Sequence, residues 1–271
     1  VYCHSPARWL YLPEDYLGEA GRFDPKRLAL TVLGPFLRQW DRRAARRADA
    51  YLANSSVVKE RIRNVYGIEA RTLFPPFSPD VAEGPQEQID AEISAWAEDP
   101  GYCLVVSRLQ PYKHVDVVID AFRSMPEKRL LVVGKGPERD RLQSMAPRNV
   151  RLVEGLSDGQ MRWAYAHAFA LICASHEDFG LTPLEAGAHG VPTLALRAGG
   201  YLDTVADGTN GMFFDAVTPA GIHAAVDAAD RGQPDSAAVR AHVAAFDQDR
   251  FIAAVRRAVH DEPRQGRCGR G

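Results

Sequence analysis

The chain has 271 residues, 46% of them hydrophobic, with 33 basic and 35 acidic side chains and a formal net charge of -2. That length allows one large or two modest domains with packed cores, and without a basic surplus there is no global case for a nucleic-acid partner. Four scattered cysteines, Cys3, Cys103, Cys173 and Cys268, form no Cys-x-x-Cys pair, so neither a zinc site nor a disulfide framework is indicated. No apolar run reaches the roughly 18 residues of a membrane span, and no signal-peptide pattern stands ahead of His4, so a cytoplasmic protein is expected.

Taken in chain order, Val1-Tyr-Cys-His4 reads as the end of a strand with nothing before it, so the chain is expected to begin inside a domain. A helix is expected over Pro25 to Ala48. On it Arg38, Arg42 and Arg46 repeat at helical spacing, with Arg43 and Arg47 beside them and Leu33, Phe36, Leu37 and Trp40 as apolar neighbours. Two readings of that face stand: peripheral contact with the inner membrane surface, or a solvated face whose arginine stems pack on the domain while Asp41 and Asp49 dilute the charge. A strand at Ala50 to Ala53, a helix at Val57 to Tyr66 and a strand at Arg71 to Phe74 would close a small, truncated sheet. Phe74-Pro-Pro-Phe-Ser-Pro79 and the acidic stretch up to Pro100 break periodicity, as a linker or the edge of a second domain does.

From Tyr102 to Phe214 short apolar runs alternate with longer amphipathic ones, the pattern of stacked βαβ units. Strands are expected at Tyr102 to Val106, Arg129 to Val133, Val150 to Val153, Phe169 to Ala174, Thr193 to Leu196 and Met212 to Phe214. Helices fall at His114 to Ser124, Pro137 to Met145, Asp158 to His167, Thr182 to His189, Tyr201 to Ala206 and Pro219 to Ala229. Phe246 to Val259 reads as an amphipathic terminal helix, and Pro263 to Gly271 as a disordered tail. The fold class is α/β, with domains at residues 1–78 and 79–245, a terminal helix at 246–262 and the tail beyond.

One segment concentrates chemistry. In Glu177-Asp-Phe-Gly-Leu-Thr-Pro-Leu-Glu185 the first carboxylate follows a strand and the second lies in a helix that Gly180 opens, with Pro183 in its first turn. The amides of Gly180, Leu181 and Thr182 are then free above a strand end, where open α/β sheets bind ligands and where a diphosphate is welcome. Arg108 and Lys113 follow another strand and reach the same space. Charge-assisted bonds contribute about 1.5–3 kcal/mol each, against about 0.3–1 for a helix-terminus field, so this pair should dominate phosphate affinity. A carboxylate pair at this spacing is common by chance, and Glu185 alone could be an ordinary first-turn helix acid. Gly134-Lys-Gly-Pro137 lacks the rest of a dinucleotide fingerprint and reads as a strand-to-helix turn, which argues against an oxidoreductase.

Four stretches together carry a resemblance: Tyr2-Cys-His-Ser-Pro6, Ala53-Asn-Ser-Ser-Val57, Val106-Ser-Arg-Leu-Gln-Pro-Tyr-Lys113, and Glu177 to Glu185 followed by Gly190-Val-Pro-Thr193 and Gly199-Gly200. The chain resembles the retaining glycosyltransferases of family 4, and within them the GDP-mannose-dependent mannosyltransferases. The resemblance implies a GT-B arrangement of two facing Rossmann-like domains, the N-terminal one incomplete here, with the terminal helix crossing back to it. It implies transfer of a hexose, mannose foremost, from a nucleoside diphosphate sugar, GDP-mannose foremost, to a saccharide or lipid-linked saccharide. By the same resemblance Glu185 accepts the ribose hydroxyls, Glu177 faces the transferred sugar, and His4 contacts the donor's sugar and phosphate region. Arg108, Lys113 and the amides of Gly180, Leu181 and Thr182 hold the diphosphate, Phe179 belongs to the donor-binding set, and Leu156 borders the base. No metal or other cofactor is implied, because the cations and the helix start can neutralise the leaving diphosphate. Two readings from other classes remain open, a non-catalytic nucleotide-sugar-binding fragment and a sugar-nucleotide epimerase on the same fold.

Overall fold

A computed structural model describes residues 1–12, 25–77, 79–97 and 101–260; the tail read at 263–271, and Cys268 with it, lies outside them. The chain divides into two units. One comprises Val1–Pro75 and the terminal helix from Asp249, and the other Pro76–Gln248.

In the first unit β1 (Tyr2–Cys3), β2 (Leu52–Ala53) and β3 (Arg71–Thr72) form a parallel sheet in the order β1-β2-β3. The strands are shorter than their apolar patterns suggest, but the ladder continues in single bonds at both ends, from the Leu52 amide to the Val1 carbonyl and from Leu73 to Ala53. The helix Ser56–Tyr66 is fixed at both ends by local chemistry. The Ser55 hydroxyl accepts the Val58 amide at its start, and left-handed Gly67 closes it. Its apolar face, Val58, Ile62 and Tyr66, packs on Ala53 and Tyr51.

The Asp41 carboxylate, on the helix Pro25–Ala45, accepts hydrogen bonds from the hydroxyls of Tyr11 at 2.9 Å and Tyr66 at 2.8 Å. Burial and then this carboxylate push the Tyr11 hydroxyl up to about 12 and raise Tyr66 as well. The terminal helix runs Gln248–His260, where Phe251 meets the Tyr2 ring edge-on at 5.5 Å. It borders a cleft of about 260 Å³ lined by Leu52, Arg71, Leu73, Ala254 and Arg257. The helix was expected to begin at Phe246. That residue instead ends a 3-10 turn, Ala244–Phe246, because its ring is held by Phe179 in the second unit, 6.2 Å between centroids.

The second unit is a six-stranded parallel sheet of β4 (Tyr102–Val106), β5 (Leu130–Val133), β6 (Val150–Val153), β7 (Ala168–Cys173), β8 (Thr193–Leu196) and β9 (Gly211–Phe214), ordered β6-β5-β4-β7-β8-β9. Alternation along each strand divides two cores. Cys103, Val105, Leu130, Val132, Ala170 and Ile172 face one, and Tyr102, Leu104, Leu131, Val133, Leu171 and Cys173 the other. Both faces are therefore covered, as all-parallel sheets require. The helix Val115–Arg123 buries Val115, Val118, Ile119 and Phe122 at spacings of three and four. Ser157 and Gln160 form a reciprocal capping box that starts the helix Asp158–Ala166.

Of the two readings of the stretch before Pro100, linker or edge of a second domain, the second fits: the second unit begins at Pro76. Helices Pro79–Ala82 and Ala91–Ala97 lie in it, Asp90 caps the second through the Ile93 amide, and Trp96 stacks on Tyr102. One apolar turn in a polar setting is too short to register as a period, and its order comes from contacts about 70 residues away, such as Glu87 accepting from Ser157 at 2.7 Å. Asp41→Ala would leave the partly buried Tyr66 phenol without its acceptor and Tyr11 with only the Arg38 carbonyl at 3.4 Å. The expected loss is about 1–3 kcal/mol, read from the urea midpoint of the purified protein; an unchanged midpoint would contradict this role.

Candidate functional site

The order of strands reverses between β4 and β7, which pair in parallel. At such a switch point the two following loops diverge to opposite faces and leave a crevice at the carboxyl ends of the strands. The loop after β4 carries Arg108 and the 3-10 turn Pro111–Lys113; the loop after β7 carries Ser175 to Leu181. Their side chains meet there. The Lys113 ammonium donates to Glu177 Oε1, and both side chains are largely withdrawn from solvent, 11% and 24% exposed. The Ser175 hydroxyl donates to the same oxygen at 2.7 Å and lies 3.1 Å from the Tyr201 hydroxyl. Since Ser175 has one proton and gives it to Glu177, Tyr201 is the donor to Ser175. Tyr201 and Ser175 are both buried, so a fixed relay orients Glu177. The Glu177 carbonyl also accepts the Gly200 amide at 2.8 Å.

Glycine is required where these loops touch. Gly180 has φ +85, and a Cβ there would lie 2.6 Å from the Tyr201 ring; one on Gly200 would lie 2.2 Å from the Phe179 backbone. The Phe179 side chain itself is buried with Leu184, Val243 and Phe246, which leaves only its backbone to face a ligand. Leu181 is exposed and Thr182 opens the two-turn helix Thr182–Ala188, its hydroxyl 3.8 Å from the Cys173 sulfur. Among the described residues no hydrogen bond is formed by the amides of Gly180, Leu181 or Thr182. Burial pushes the Cys173 thiol up to about 12, so it is a core group and not a nucleophile.

Glu185 lies one turn into that helix and accepts the Tyr165 hydroxyl at 2.6 Å. Burial raises its pKa, and the Tyr165 bond opposes the rise. Among the described residues its other carboxylate oxygen, Oε1, has no hydrogen-bond partner. Arg108 is exposed and donates to the Tyr112 hydroxyl at 3.0 Å, while the Lys113 ammonium sits 5.2 Å from the centre of the Tyr112 ring. Tyr112 thus ties the two cations together. Leu156 is half-buried after β6, on the same rim. His4 lies in the other unit, exposed, with its ring edge-on to Tyr2 at 5.0 Å.

The structure therefore gathers Arg108, Lys113, Glu177, Gly180, Leu181, Thr182 and Glu185 around one switch point. Sequence reading missed Ser175, Tyr201, Tyr165 and Tyr112. Ser175 stands two residues before Glu177, but nothing local marks a phenol whose partner lies 4 to 26 residues away. One Asp-x-Asp spacing occurs, Asp247 and Asp249, where the turn Ala244–Phe246 hands over to the terminal helix. Among the described residues no three His, Cys, Asp or Glu side chains converge as a metal site.

Residues 86–240 match the family model described as glycosyl transferases group 1. The chain is 30% identical over 212 residues to a GDP-mannose-dependent alpha-(1-6)-phosphatidylinositol monomannoside mannosyltransferase of Mycolicibacterium smegmatis, covering 71% of this chain and 56% of that protein. It is 30% identical over 235 residues to a D-inositol 3-phosphate glycosyltransferase of Geodermatophilus obscurus, covering 76% of this chain and 51% of that one. The chain thus spans about half the length of these curated relatives. Among solved structures, sucrose-phosphate synthase of Thermosynechococcus elongatus superposes with a TM-score of 0.74 at 18% identity, over 96% of this chain and 66% of that one. Anabaena HepE in complex with UDP gives 0.67 at 17% identity, over 88% and 77%.

The raised pKa of Glu185 has a signed consequence. A carboxyl whose folded pKa lies above its ordinary value opposes folding while ionised, and the opposition disappears as pH falls through the folded pKa. Glu185→Gln is accordingly expected to raise the melting temperature at neutral pH and to lose that advantage in acid. A variant that melts lower than wild type at neutral pH would contradict the burial argument.

Proposed function

Because the chain belongs to the glycosyl transferases group 1 family and has the GT-B glycosyltransferase fold, we propose that its second unit binds a nucleoside diphosphate sugar at the β4/β7 switch point. The observation that carries the reading is the convergence of two cations, two carboxylates and three unbonded amides on that crevice. Arg108 and Lys113 hold the diphosphate, aided by the amides of Gly180, Leu181 and Thr182. Glu185 accepts ribose hydroxyls through the oxygen that Tyr165 leaves open, and Leu156 borders the base.

Glu177 neutralises Lys113. An incoming diphosphate offers Lys113 a second anion, and Glu177, still held by Ser175, is left to face the anomeric carbon where positive charge develops. The reaction proposed is a retaining hexosyl transfer. The bond from the anomeric carbon to the phosphate oxygen breaks with its electron pair going to the phosphate, the acceptor hydroxyl attacks from the same face, and its proton passes to the departing phosphate. No covalent enzyme intermediate is needed. Arg108 and Lys113 take the charge-neutralising part, so the reaction is proposed to be independent of a metal.

Mannose from GDP-mannose is the proposed donor, supported by the relative whose name specifies it. A saccharide or lipid-linked saccharide is the proposed acceptor, and the cytoplasm the proposed compartment. Among the described residues no helix is long and apolar enough to cross a membrane. His4 keeps the proposed role of contacting the donor's sugar and phosphate region.

Three substitutions and a donor screen test this. Arg108→Ala should weaken binding of free GDP by about 10- to 100-fold, the worth of one charge-assisted contact. Glu185→Ala should weaken it comparably, whereas Glu177→Ala should leave GDP affinity near wild type and lower turnover by about 100-fold or more. Unchanged GDP affinity in both Arg108→Ala and Glu185→Ala would refute the site. In the screen, release of GDP from GDP-mannose only with acceptor present supports transfer. Binding without release under any acceptor supports the fragment reading, and isomerised donor without acceptor would identify an epimerase.

A further inference from the structure

Glu185 lies in the helix Thr182–Ala188 and His189 closes that helix in helical conformation, φ -86 and ψ 0. At this i, i+4 spacing the two side chains share a face, and both engage Tyr165. The Tyr165 hydroxyl donates to Glu185 Oε2 at 2.6 Å. Its ring stacks on the His189 imidazole, 5.7 Å between centroids and 13° from parallel. His189 is held in turn, with Nε2 3.1 Å from the Val81 carbonyl in the helix Pro79–Ala82. A carbonyl only accepts, so Nε2 carries the proton, and burial lowers the imidazole's pKa and keeps the ring neutral.

Tyr165 is buried, and a buried phenol needs an acceptor. A backbone carbonyl supplies one without desolvating a charge, as Ala164 does for Tyr102 in the same core at 2.7 Å. Tyr165 instead takes a carboxylate that burial disfavours. Of the other titratable groups packed here, Cys173 stays a thiol, its pKa pushed up to about 12, and Tyr201 is bonded to Ser175. Arg162 donates to the carbonyls of Asp80 and Pro85, Arg240 to that of His189, and Lys113 to Glu177. The Tyr165 hydroxyl is therefore the one side-chain donor to the Glu185 carboxylate among the described residues. Satisfying Tyr165 does not by itself explain a desolvated carboxylate with a second oxygen unengaged. A further hydroxyl-bearing partner does.

We propose that Tyr165, braced by His189, is a positioning residue of the donor site, binding one oxygen of Glu185 and fixing the carboxylate so that Oε1 meets the donor's ribose hydroxyls. The inference rests on the nucleoside diphosphate reading of the crevice and adds the group that makes its ribose acceptor competent. A pH signature follows. An ionised carboxylate accepts ribose hydroxyls better than a protonated one, so affinity for a ribose falls as pH falls through the Glu185 pKa. Burial raises that pKa and the Tyr165 bond lowers it, so removing the hydroxyl moves the fall to higher pH.

Calorimetric titration of the whole chain with GDP and with inorganic pyrophosphate, across pH, tests this. Pyrophosphate can reach the cations but has no ribose. Tyr165→Phe keeps the ring and is expected to weaken GDP about tenfold at neutral pH, with the acid fall in GDP affinity displaced to higher pH and pyrophosphate affinity as in wild type. His189→Ala keeps the hydroxyl but removes its brace, and should weaken GDP about threefold, again without effect on pyrophosphate. Wild-type GDP affinity and pH dependence in Tyr165→Phe would overturn the proposal, and wild-type GDP affinity in His189→Ala would overturn the brace. A parallel loss of GDP and pyrophosphate in Tyr165→Phe would also overturn it, marking a tyrosine that only supports the fold. Arg108→Ala separates this claim from the one beneath it: it should weaken both ligands, and if it weakens neither, the reading of the crevice itself fails.

Discussion

The parallel pairing of β4 with β7 is the constraint from which the site follows. A sheet wound outward in both directions from this pair sends the chain after β4 to one face and the chain after β7 to the other. The gap between them cannot be filled by either crossover, and the two loops that border it supply Lys113 and Glu177 from positions 64 residues apart. The buried alternation of Cys103, Leu104 and Val105 against Ala170, Leu171 and Ile172 holds this pairing in register. A one-residue slip would exchange the two cores, and would carry the loop ends out of reach of each other.

The electrostatics of the crevice divide its carboxylates by environment. Glu177 is compensated by Lys113 and by a hydroxyl whose own position is fixed by buried Tyr201. Glu185 has one hydroxyl partner and a desolvated setting, so burial governs it and its pKa rises. A carboxylate held in that way gains most from additional hydroxyl donors, which suits a ribose. One held beside an ammonium suits a place where cationic charge appears and disappears. The same loops need Gly180 and Gly200 because Tyr201 and the Phe179 backbone occupy the space a side chain would take.

Much of this was legible because parallel strands buried on both faces leave strong signals. Tyr102–Val106, Val150–Val153 and Thr193–Leu196 stand where their apolar runs end, and the doubly covered sheet explains why those runs are continuous. The carboxylates and cations were legible as residues at strand ends. What escaped was order imposed from a distance. The turn of helix at Ala91–Ala97 is held by Tyr102 and neighbours of the sheet, and Phe246 is diverted from the terminal helix by Phe179. Tyr165 reaches Glu185, and Tyr201 reaches Ser175 beside Glu177, through tertiary packing that no local pattern records. Asp41 escaped for the opposite reason, since a helix pattern gives its face but not the two phenols that claim it.

Amide hydrogen exchange of the whole chain, with and without GDP, tests the central claim most directly. Protection is predicted in the loops after β4, β6 and β7, around residues 107–114, 154–157 and 175–186, with the helix Pro25–Ala45 unchanged. Protection centred elsewhere, such as the cleft bordered by Leu52, Arg71 and Arg257, with the β4 and β7 loops unaffected, would contradict it.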